Sequence, residues 1–229
     1  QVLDNISLII EQISDEVEGG VKYFTQMPYF VSVHDRQQNV LIINTHQPYE
    51  SSPGVLNAAL VALMDRVLRD KGHAVRLTQV AVGYDIDEEA EKHRWANVVI
   101  VQGPVNWMAF PWSFKKYQDE VYGVLGGSLY DGDGRQPDQP GLHYGSGGLA
   151  QARKYMLSLT YNAPRAAFDD PEQYLLQGRG VDDMFLPAHL CFRFMGMEPL
   201  ETFVCYDVLK NPDIDNDFRR LEAHLDRLF

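Results

Sequence analysis

The sequence predicts a doubly wound α/β fold with five parallel strands and helices on both faces of the sheet. The first observation is a set of short, continuous apolar runs of strand length, bounded by polar residues, as in strands buried on both faces. The second is that segments with helical spacing separate these runs. Strands that alternate with helices pair in parallel through right-handed crossovers, which gives this fold class.

The first strand is predicted at NVLIIN (39–44) and is followed by a helix with both ends marked. Ser52 is placed to cap that helix, Pro53 is at its first position and Gly72 ends it. The remaining strands are predicted at 74–82, 97–102, 154–160 and 202–208. The remaining helices are predicted at 87–96, about 111–124, about 182–194 and about 214–228.

Composition limits the classes of function. The 229 residues, 45% of them hydrophobic, predict a single core. A formal net charge of −12 argues against a nucleic-acid surface, which needs clustered cations. No apolar run approaches the ~20 residues of a membrane-spanning helix, and the amino-terminal residues lack the basic region of an export signal. Two cysteines in apolar runs make no disulfide framework, so we expect a soluble cytoplasmic protein.

Two regions lie outside the alternation of strands and helices. Residues 1–37 precede the first strand and form an amino-terminal extension, so the domain itself is predicted at 38–229. Residues 125–150 are a Gly/Pro-rich excursion, longer than an ordinary connection. Such a segment is either a functional loop or a disordered surface loop.

Three loops are expected at the carboxyl edge of the sheet, where open parallel sheets bind ligands. The first, 45–57, enters a helix N-terminus, where Ser51, Ser52 and backbone amides are available to an anion. The alternative is that Ser52 is a plain helix cap. Neither the dinucleotide fingerprint nor the P-loop lysine motif occurs here, which disfavours a nicotinamide-first dehydrogenase or an ATPase.

The second and third loops are 103–110 and 161–168. The second combines Pro104 with Trp107 and Phe110, whose rings can stack on a flat aromatic ligand or can instead pack as lid and core residues. Phe114 and Tyr117, at helical spacing, are expected in the core. The third follows Thr160 with small and amide side chains that leave the backbone open, although a plain turn explains the same residues.

These loops resemble those of the flavodoxin-like NAD(P)H:quinone oxidoreductases. The resemblance covers Gln38 to the C-terminus. It rests on six ordered blocks: LIIN…SSPGVLN, WANVVIVQGPVNWMAFPWSFKKYQDEVY, LYDGDGR, YGSGGLAQARKYMLSLTYNAP, VDDMFLPAH and GMEPLETF. It implies a flavodoxin-like sheet with strand order 2-1-3-4-5.

The resemblance also implies FAD bound at the sheet edge. Positions matching the pyrophosphate site are Ser52, Gly54, Val55, Leu56 and Asn57. Positions matching the isoalloxazine and ribityl loop are Pro104, Val105, Asn106, Trp107 and Met108, and those facing the pyrimidine edge are Thr160, Tyr161, Asn162 and Ala163. Tyr161 and Asn162 are assigned as catalytic positions, with backbone donors near Asn162 and Ala163 stabilising negative charge. His46 either contacts phosphate or is an exposed loop histidine, and we assign no metal site.

The implied activity is two-electron reduction of quinones. Hydride passes from NADPH or NADH, with NADPH favoured, to flavin N5 and then to the quinone in a ping-pong cycle. The implied assembly is a homodimer with its substrate pocket at the interface, to which 184–194 contributes unless these residues only pack in the core. The alternatives are a one-electron FMN carrier and a flavoprotein regulator of a potassium efflux system.

One departure from the mammalian-type quinone reductases is visible in the sequence. Those enzymes place a tyrosine and a histidine shortly after the third loop, whereas here Phe168 falls near the tyrosine position and no histidine follows until His189. The tyrosine–histidine relay therefore cannot be transferred to this chain.

Overall fold

The computed structural model describes residues 37–229, and the predicted extension 1–37 lies outside the described residues except for Gln37. Residues 37–229 form one compact unit. This unit contains six strands: β1 Asn39–Asn44, β2 Ala74–Gln79, β3 Val98–Pro104, β4 Lys154–Thr160, β5 Glu198–Pro199 and β6 Phe203–Cys205. The α-helices are α1 Val55–Asp70, α2 Ile86–Trp95, α3 Trp112–Val121, α4 Val181–Met184, α5 Leu186–Phe194 and α6 Ile214–Leu228.

All strand pairs in the sheet are parallel, in the order β2-β1-β3-β4-β5, and β6 pairs with β4. The predicted fold class and strand order are confirmed. The fifth position differs from the single strand predicted at 202–208, because two short segments share it. β5 pairs with the start of β4, from Lys154 to Tyr155, and β6 pairs with its end, from Ser158 to Thr160.

Other element boundaries also differ from the prediction. The segment predicted as a strand to Val82 leaves the sheet at Gln79, since Val80–Val82 forms a 3₁₀ turn. The helix predicted to Val124 ends at Val121 and continues as a 3₁₀ turn over Tyr122–Leu125. The helix predicted over 182–194 is two helices, because Pro187 begins a new first turn in α5.

Helices cover both faces of the sheet. On one face Leu41 and Ile43 pack with residues of α2, α3 and α5, including Phe114 and Phe192. On the other face Val40 and Ile42 pack with residues of α1 and α6. The expected core positions Phe114 and Tyr117 are confirmed, at 1% and 0% exposure. Within residues 37–229, every helix is too short or too polar to cross a membrane.

Cationic side chains donate to carbonyls of β2, at one edge of the sheet, and of β6, on its other side. At the β2 edge, Arg69 Nη2 donates to the Val75 carbonyl at 2.7 Å and Lys92 Nζ donates to the Leu77 carbonyl at 3.2 Å. At the opposite edge, Arg220 Nη2 donates to the Val204 carbonyl of β6 at 3.1 Å. These carbonyls, which have no neighbouring strand, are therefore satisfied by helix side chains.

The excursion 125–150 folds back on itself. The Asp131 amide donates to the Gly147 carbonyl at 2.7 Å, and Tyr130 forms a bridge with Gly148. A Cβ on Gly148 would collide with the backbone of Met195 and Gly196, so glycine is needed where the base of the loop meets the end of α5. The base of this loop is therefore built into the domain.

Candidate functional site

The first loop follows β1 and turns into the N-terminus of α1. The Tyr49 amide donates to the Ser52 carbonyl at 3.1 Å, and the Ser52 amide donates to the Tyr49 carbonyl at 2.9 Å. Gly54, at φ +85°, precedes the helix, and the first turn of α1 carries no acidic side chain. The sequence prediction that Ser52 caps the helix and Pro53 begins it is wrong, because Gly54 holds the cap position and makes no side-chain cap bond.

His46 supports this loop from below. Its side chain is buried at 6% exposure, and Nε2 lies 2.9 Å from the Ser52 carbonyl oxygen. The expectation of an exposed loop histidine is wrong, because the ring fills space under Gly54. Through this contact His46 holds the backbone of the first loop in place.

The second loop is a tight turn that projects from the end of β3. The amide of Asn106 donates to the Ala109 carbonyl at 2.8 Å, and the Ala109 amide returns a bond at 3.2 Å. The two central residues, Trp107 and Met108, have φ of +47° and +68°, as in a type I′ turn. Bulky side chains adopt this conformation at a cost, and such strain is concentrated at functional sites.

Trp107 is 97% exposed, so the alternative that its ring packs in the core is wrong. That alternative holds for Phe110 instead, whose ring packs edge-on against Phe114 and Phe185 at 5.1 and 4.9 Å. The turn is thus anchored by Phe110 and presents an uncovered indole. An exposed indole on an anchored turn can stack on a planar ligand.

The third loop follows β4. Tyr161 is buried, and its hydroxyl donates to Met108 Sδ at 2.9 Å, which joins the second and third loops. Burial raises the pKa of Tyr161, so this phenol keeps its proton. Asn162 Oδ1 accepts a bond from the Leu209 amide at 3.2 Å. Within residues 37–229 the N–H groups of Asn162 and Ala163 have no hydrogen-bond partner, so both are free to donate to a ligand.

Hydrogen bonds bring the three loops together. The Val105 amide donates to the Thr160 carbonyl at 2.9 Å. Asn57 Nδ2 donates to Thr160 Oγ1 at 3.2 Å, so the first turn of α1 contacts the end of β4. The structure therefore places all predicted site residues in three adjoining loops at one sheet edge: His46, Ser52, Gly54, Val55, Leu56, Asn57, Pro104, Val105, Asn106, Trp107, Met108, Thr160, Tyr161, Asn162 and Ala163.

The donors at this edge fit a flavin nucleotide. A helix N-terminus without acidic side chains suits the pyrophosphate, and an exposed indole suits the flat ring system. Unpaired amides at Asn162 and Ala163 suit carbonyl oxygens of the ring. Glycine is also required at position 103, since a Cβ there would collide with Thr45 Oγ1.

Phe168 and His189, the residues compared with the tyrosine–histidine relay, lie at different ends of the sheet. Phe168 is buried at 3% exposure and packs edge-on against Tyr161 at 5.3 Å. His189 Nδ1 lies 2.7 Å from the hydroxyl of Tyr155, near the amino end of β4. Tyr155 precedes Thr160 by five residues, roughly 16 Å along a strand, so His189 belongs to the opposite end of the sheet.

Sequence reasoning did not single out Gln102 and Ser158. Both are fully buried beneath the three loops. The available signal was a polar side chain at Gln102, directly after the apolar run of NVVIVQ, and another at Ser158, between the two leucines of KYMLSLT. A buried polar group in such a strand needs a hydrogen-bond partner, so these two residues were candidates for a role in the structure of the site.

Comparison with known proteins agrees with this fold. A family model described as flavodoxin-like fold matches residues 38–228. The chain therefore belongs to the flavodoxin-like family.

Two relatives match most of the chain. One is NADPH:quinone oxidoreductase MdaB of Haemophilus influenzae, 40% identical over 191 residues, which are 83% of this chain and 99% of that protein. The other is an uncharacterised protein of Schizosaccharomyces pombe, 43% identical over 190 residues, 83% of this chain and 96% of that one. A solved structure, a putative quinone reductase from Klebsiella pneumoniae, aligns with a TM-score of 0.68 at 24% identity and covers 84% of this chain and 85% of its own. Its similarity shows the fold.

Proposed function

We propose that this protein is an FAD-dependent NAD(P)H:quinone oxidoreductase. The observation that carries the proposal is the 40% identity with NADPH:quinone oxidoreductase MdaB, over 191 residues that amount to 99% of that protein. The three adjoining loops, with an anion-binding helix N-terminus and an exposed indole, support the same activity.

When bound, the flavin supplies the two-electron chemistry, taking hydride from NAD(P)H and passing it to a quinone in ping-pong order. The first turn of α1 binds the pyrophosphate, with His46 fixing the loop that precedes it. The turn at Trp107 and Met108 orients the ring system. The amides of Asn162 and Ala163 stabilise negative charge at its pyrimidine edge without a titrating side chain.

FAD is the cofactor we favour, because the first loop does not match the tight Thr/Ser-rich phosphate loop of FMN carriers. FMN is the alternative, since a solved structure of this fold, general stress protein 14 of Treponema denticola, is in complex with FMN. We favour NADPH as the hydride donor, because the Haemophilus influenzae relative is named an NADPH:quinone oxidoreductase.

The proposal includes a homodimer with quinone bound at the subunit interface. Helix α5 supports it, because Ala188 and Phe192 are buried in the core while Leu186 and Leu190 are 52% and 50% exposed. Two exposed leucines four residues apart form one apolar face of the helix.

We place the enzyme in the cytoplasm, a proposal supported by its free thiols, Cys191 and Cys205.

One purification tests the cofactor and the reaction. The full chain is denatured, the released flavin is identified by chromatography, and NADH and NADPH oxidation is followed with a panel of quinones at varied concentrations of both substrates. We expect FAD, faster turnover with NADPH, and parallel double-reciprocal lines. A chain that takes up neither flavin, or that takes up flavin but reduces no quinone, contradicts the proposal, and recovery of FMN alone overturns the cofactor assignment.

A further inference from the structure

Four buried polar side chains form a chain of hydrogen bonds beneath the three loops. Ser158 and Gln102 are 0% exposed, Asn57 is 4% exposed and Thr160 is 5% exposed. They come from two strands and a helix, because Ser158 and Thr160 lie on β4, Gln102 on β3 and Asn57 on α1. Burying four polar groups is costly unless each is satisfied, and here they satisfy one another.

Three hydrogen bonds run in one direction. Ser158 Oγ donates to Gln102 Oε1 at 2.6 Å, and Gln102 Nε2 donates to Asn57 Oδ1 at 2.9 Å. Asn57 Nδ2 then donates to Thr160 Oγ1 at 3.2 Å. Since each of the two carboxamides accepts from one neighbour and donates to the next, the orientation of both is fixed by the links on either side.

The last member of the chain both accepts from and donates to Asn57. Thr160 Oγ1 accepts from Asn57 Nδ2 at 3.2 Å and donates to Asn57 Oδ1 in a long bond of 3.4 Å. Hydrogen bonds between oxygens are usually about 2.5–3.0 Å long, so this second bond is weak. An acceptor at the sheet edge can therefore take the Thr160 hydroxyl hydrogen in its place.

Gln102 joins the loops through its backbone as well. Its carbonyl accepts bonds from the amide and the hydroxyl of Thr45, at 2.8 and 3.2 Å. Gln102 thus contacts the start of the first loop, lies two residues before the end of β3, and connects through its carboxamide to β4.

We propose that Gln102 is a positioning residue for the flavin site, which acts by orienting the Asn57 carboxamide so that the Thr160 hydroxyl donates to the pyrimidine edge of the flavin. This inference rests on the proposed function. A donor at that edge stabilises the electron-rich reduced ring more than the oxidised ring, so the hydrogen-bond chain raises the reduction potential of the bound flavin.

The test compares Gln102→Leu, Thr160→Val and the double variant. For each full-length protein we would measure the FAD dissociation constant by titrating the flavin-free protein, and the midpoint potential of the bound flavin. Each single variant is expected to weaken FAD binding up to about tenfold, the upper range for one hydrogen bond. A tenfold loss of preference for reduced over oxidised flavin lowers a two-electron potential by about 30 mV.

The double variant separates positioning from general support of the fold. If Gln102 acts through Thr160, Gln102→Leu produces no further shift in potential once Thr160 is valine. Thr160→Ser, which keeps the hydroxyl, should retain a near-normal potential. Tyr155→Phe is the control, since it removes a 2.7 Å contact with His189 from the other end of β4 and should leave FAD affinity and potential unchanged.

The outcomes that overturn the inference are distinct from failure of the proposed function. A wild-type chain that binds no flavin overturns both. A wild-type chain that binds FAD, with an unshifted potential in Gln102→Leu or an equal further shift in the double variant, overturns the role of Gln102 alone. If Gln102→Leu does not fold, Ser158→Ala removes the first link and is judged by the same two measurements.

Discussion

The imidazole of His46 occupies the space beneath Gly54, where the Cβ of any other residue would lie. The ring is held there by the 2.9 Å contact between its Nε2 and the Ser52 carbonyl oxygen. Gly54 is also in the left-handed region, at φ +85°. Glycine is therefore needed at this position for two independent reasons, backbone conformation and space.

Replacing Gly54 with alanine should disturb the first loop and weaken FAD binding. We expect a loss of about 2–4 kcal/mol in the free energy of unfolding, from the left-handed conformation together with overpacking against His46. Gly72→Ala is the matched control, because Gly72 has φ +87° and nothing lies within 4 Å of its Cβ position. Urea unfolding and FAD titration measure both effects, and equal losses in the two variants would contradict the role of His46.

Trp107→Ala should weaken FAD binding by about 1–3 kcal/mol, because stacking on the ring system is lost. The free energy of unfolding should change little, since the indole is 97% exposed. Trp112→Ala provides the comparison, as that side chain is 62% exposed at the start of α3. FAD titration of the two variants tests this prediction. Equal FAD affinities in the two variants would show that Trp107 is not part of the flavin site.

Stability should fall in mild acid because of His93. Burial lowers the pKa of His93 to about 3, from an ordinary value of 6.5, and its Nε2 lies 2.9 Å from the Tyr117 hydroxyl. Below pH 6.5 His93 binds a proton in the unfolded chain but not in the folded chain. The contribution of neutral His93 to the free energy of unfolding is therefore complete above pH 6.5 and is lost as the pH falls toward 3. At pH 5 the loss amounts to about 2 kcal/mol.

Urea unfolding at pH 7.5 and pH 5 tests this assignment. His93→Gln should show a smaller drop between the two pH values than the wild type, whatever its stability at pH 7.5. His143→Gln, at an exposed loop position, should keep the wild-type drop. A variant at position 93 with an unchanged pH dependence would assign the acid sensitivity to other groups.

Leu190→Asp should dissociate the proposed dimer, because it places a charge on the exposed face of α5. Leu142→Asp serves as its control, since Leu142 is 54% exposed on the excursion 125–150. Sedimentation velocity gives the assembly state and quinone assays give the rate. A wild-type monomer that turns over quinone at full rate would refute the dimeric site.

A chain that begins at Arg36 should fold, bind FAD and reduce quinones. Residues 37–229 form one compact unit, and every predicted flavin contact lies after Thr45. The measurements are flavin content, melting temperature and steady-state rate for the full and shortened chains. A shortened chain that is folded but colourless would make the extension part of the flavin site.

Local patterns in the sequence were enough to predict the sheet and its flanking helices. NVLIIN has an unbroken apolar run between two asparagines, and KYMLSLT has an apolar stretch interrupted by Ser158. Both become strands with the predicted bounds. The fifth strand was harder, because Pro199 cannot donate a ladder bond and the chain leaves the sheet between β5 and β6. The division of this strand into β5 and β6 depends on how each segment pairs with β4. That pairing cannot be predicted from the local sequence.

The positions of the three loops were predictable, but the contacts between them were not. Strand ends marked the three loops, since parallel strands place their carboxyl ends at one edge. The left-handed backbone of Trp107 and Met108 was not predictable, because side chains of that size disfavour it. The bond between Gln102 and Asn57 joins residues 45 positions apart and follows only from the packing of α1 on the sheet.

The guanidinium and ammonium groups of Arg69, Lys92 and Arg220, which occupy outward carbonyls of β2 and β6, also restrict how this protein meets its own copies. A strand from another molecule would have to displace a charged side chain from each carbonyl before it could pair there. Growth of the sheet into fibrillar aggregates is therefore opposed at β2 and at β6. Copies of the protein are left to associate through helix surfaces. There the side chains determine which partner fits, whereas an uncovered strand backbone can pair with any other strand.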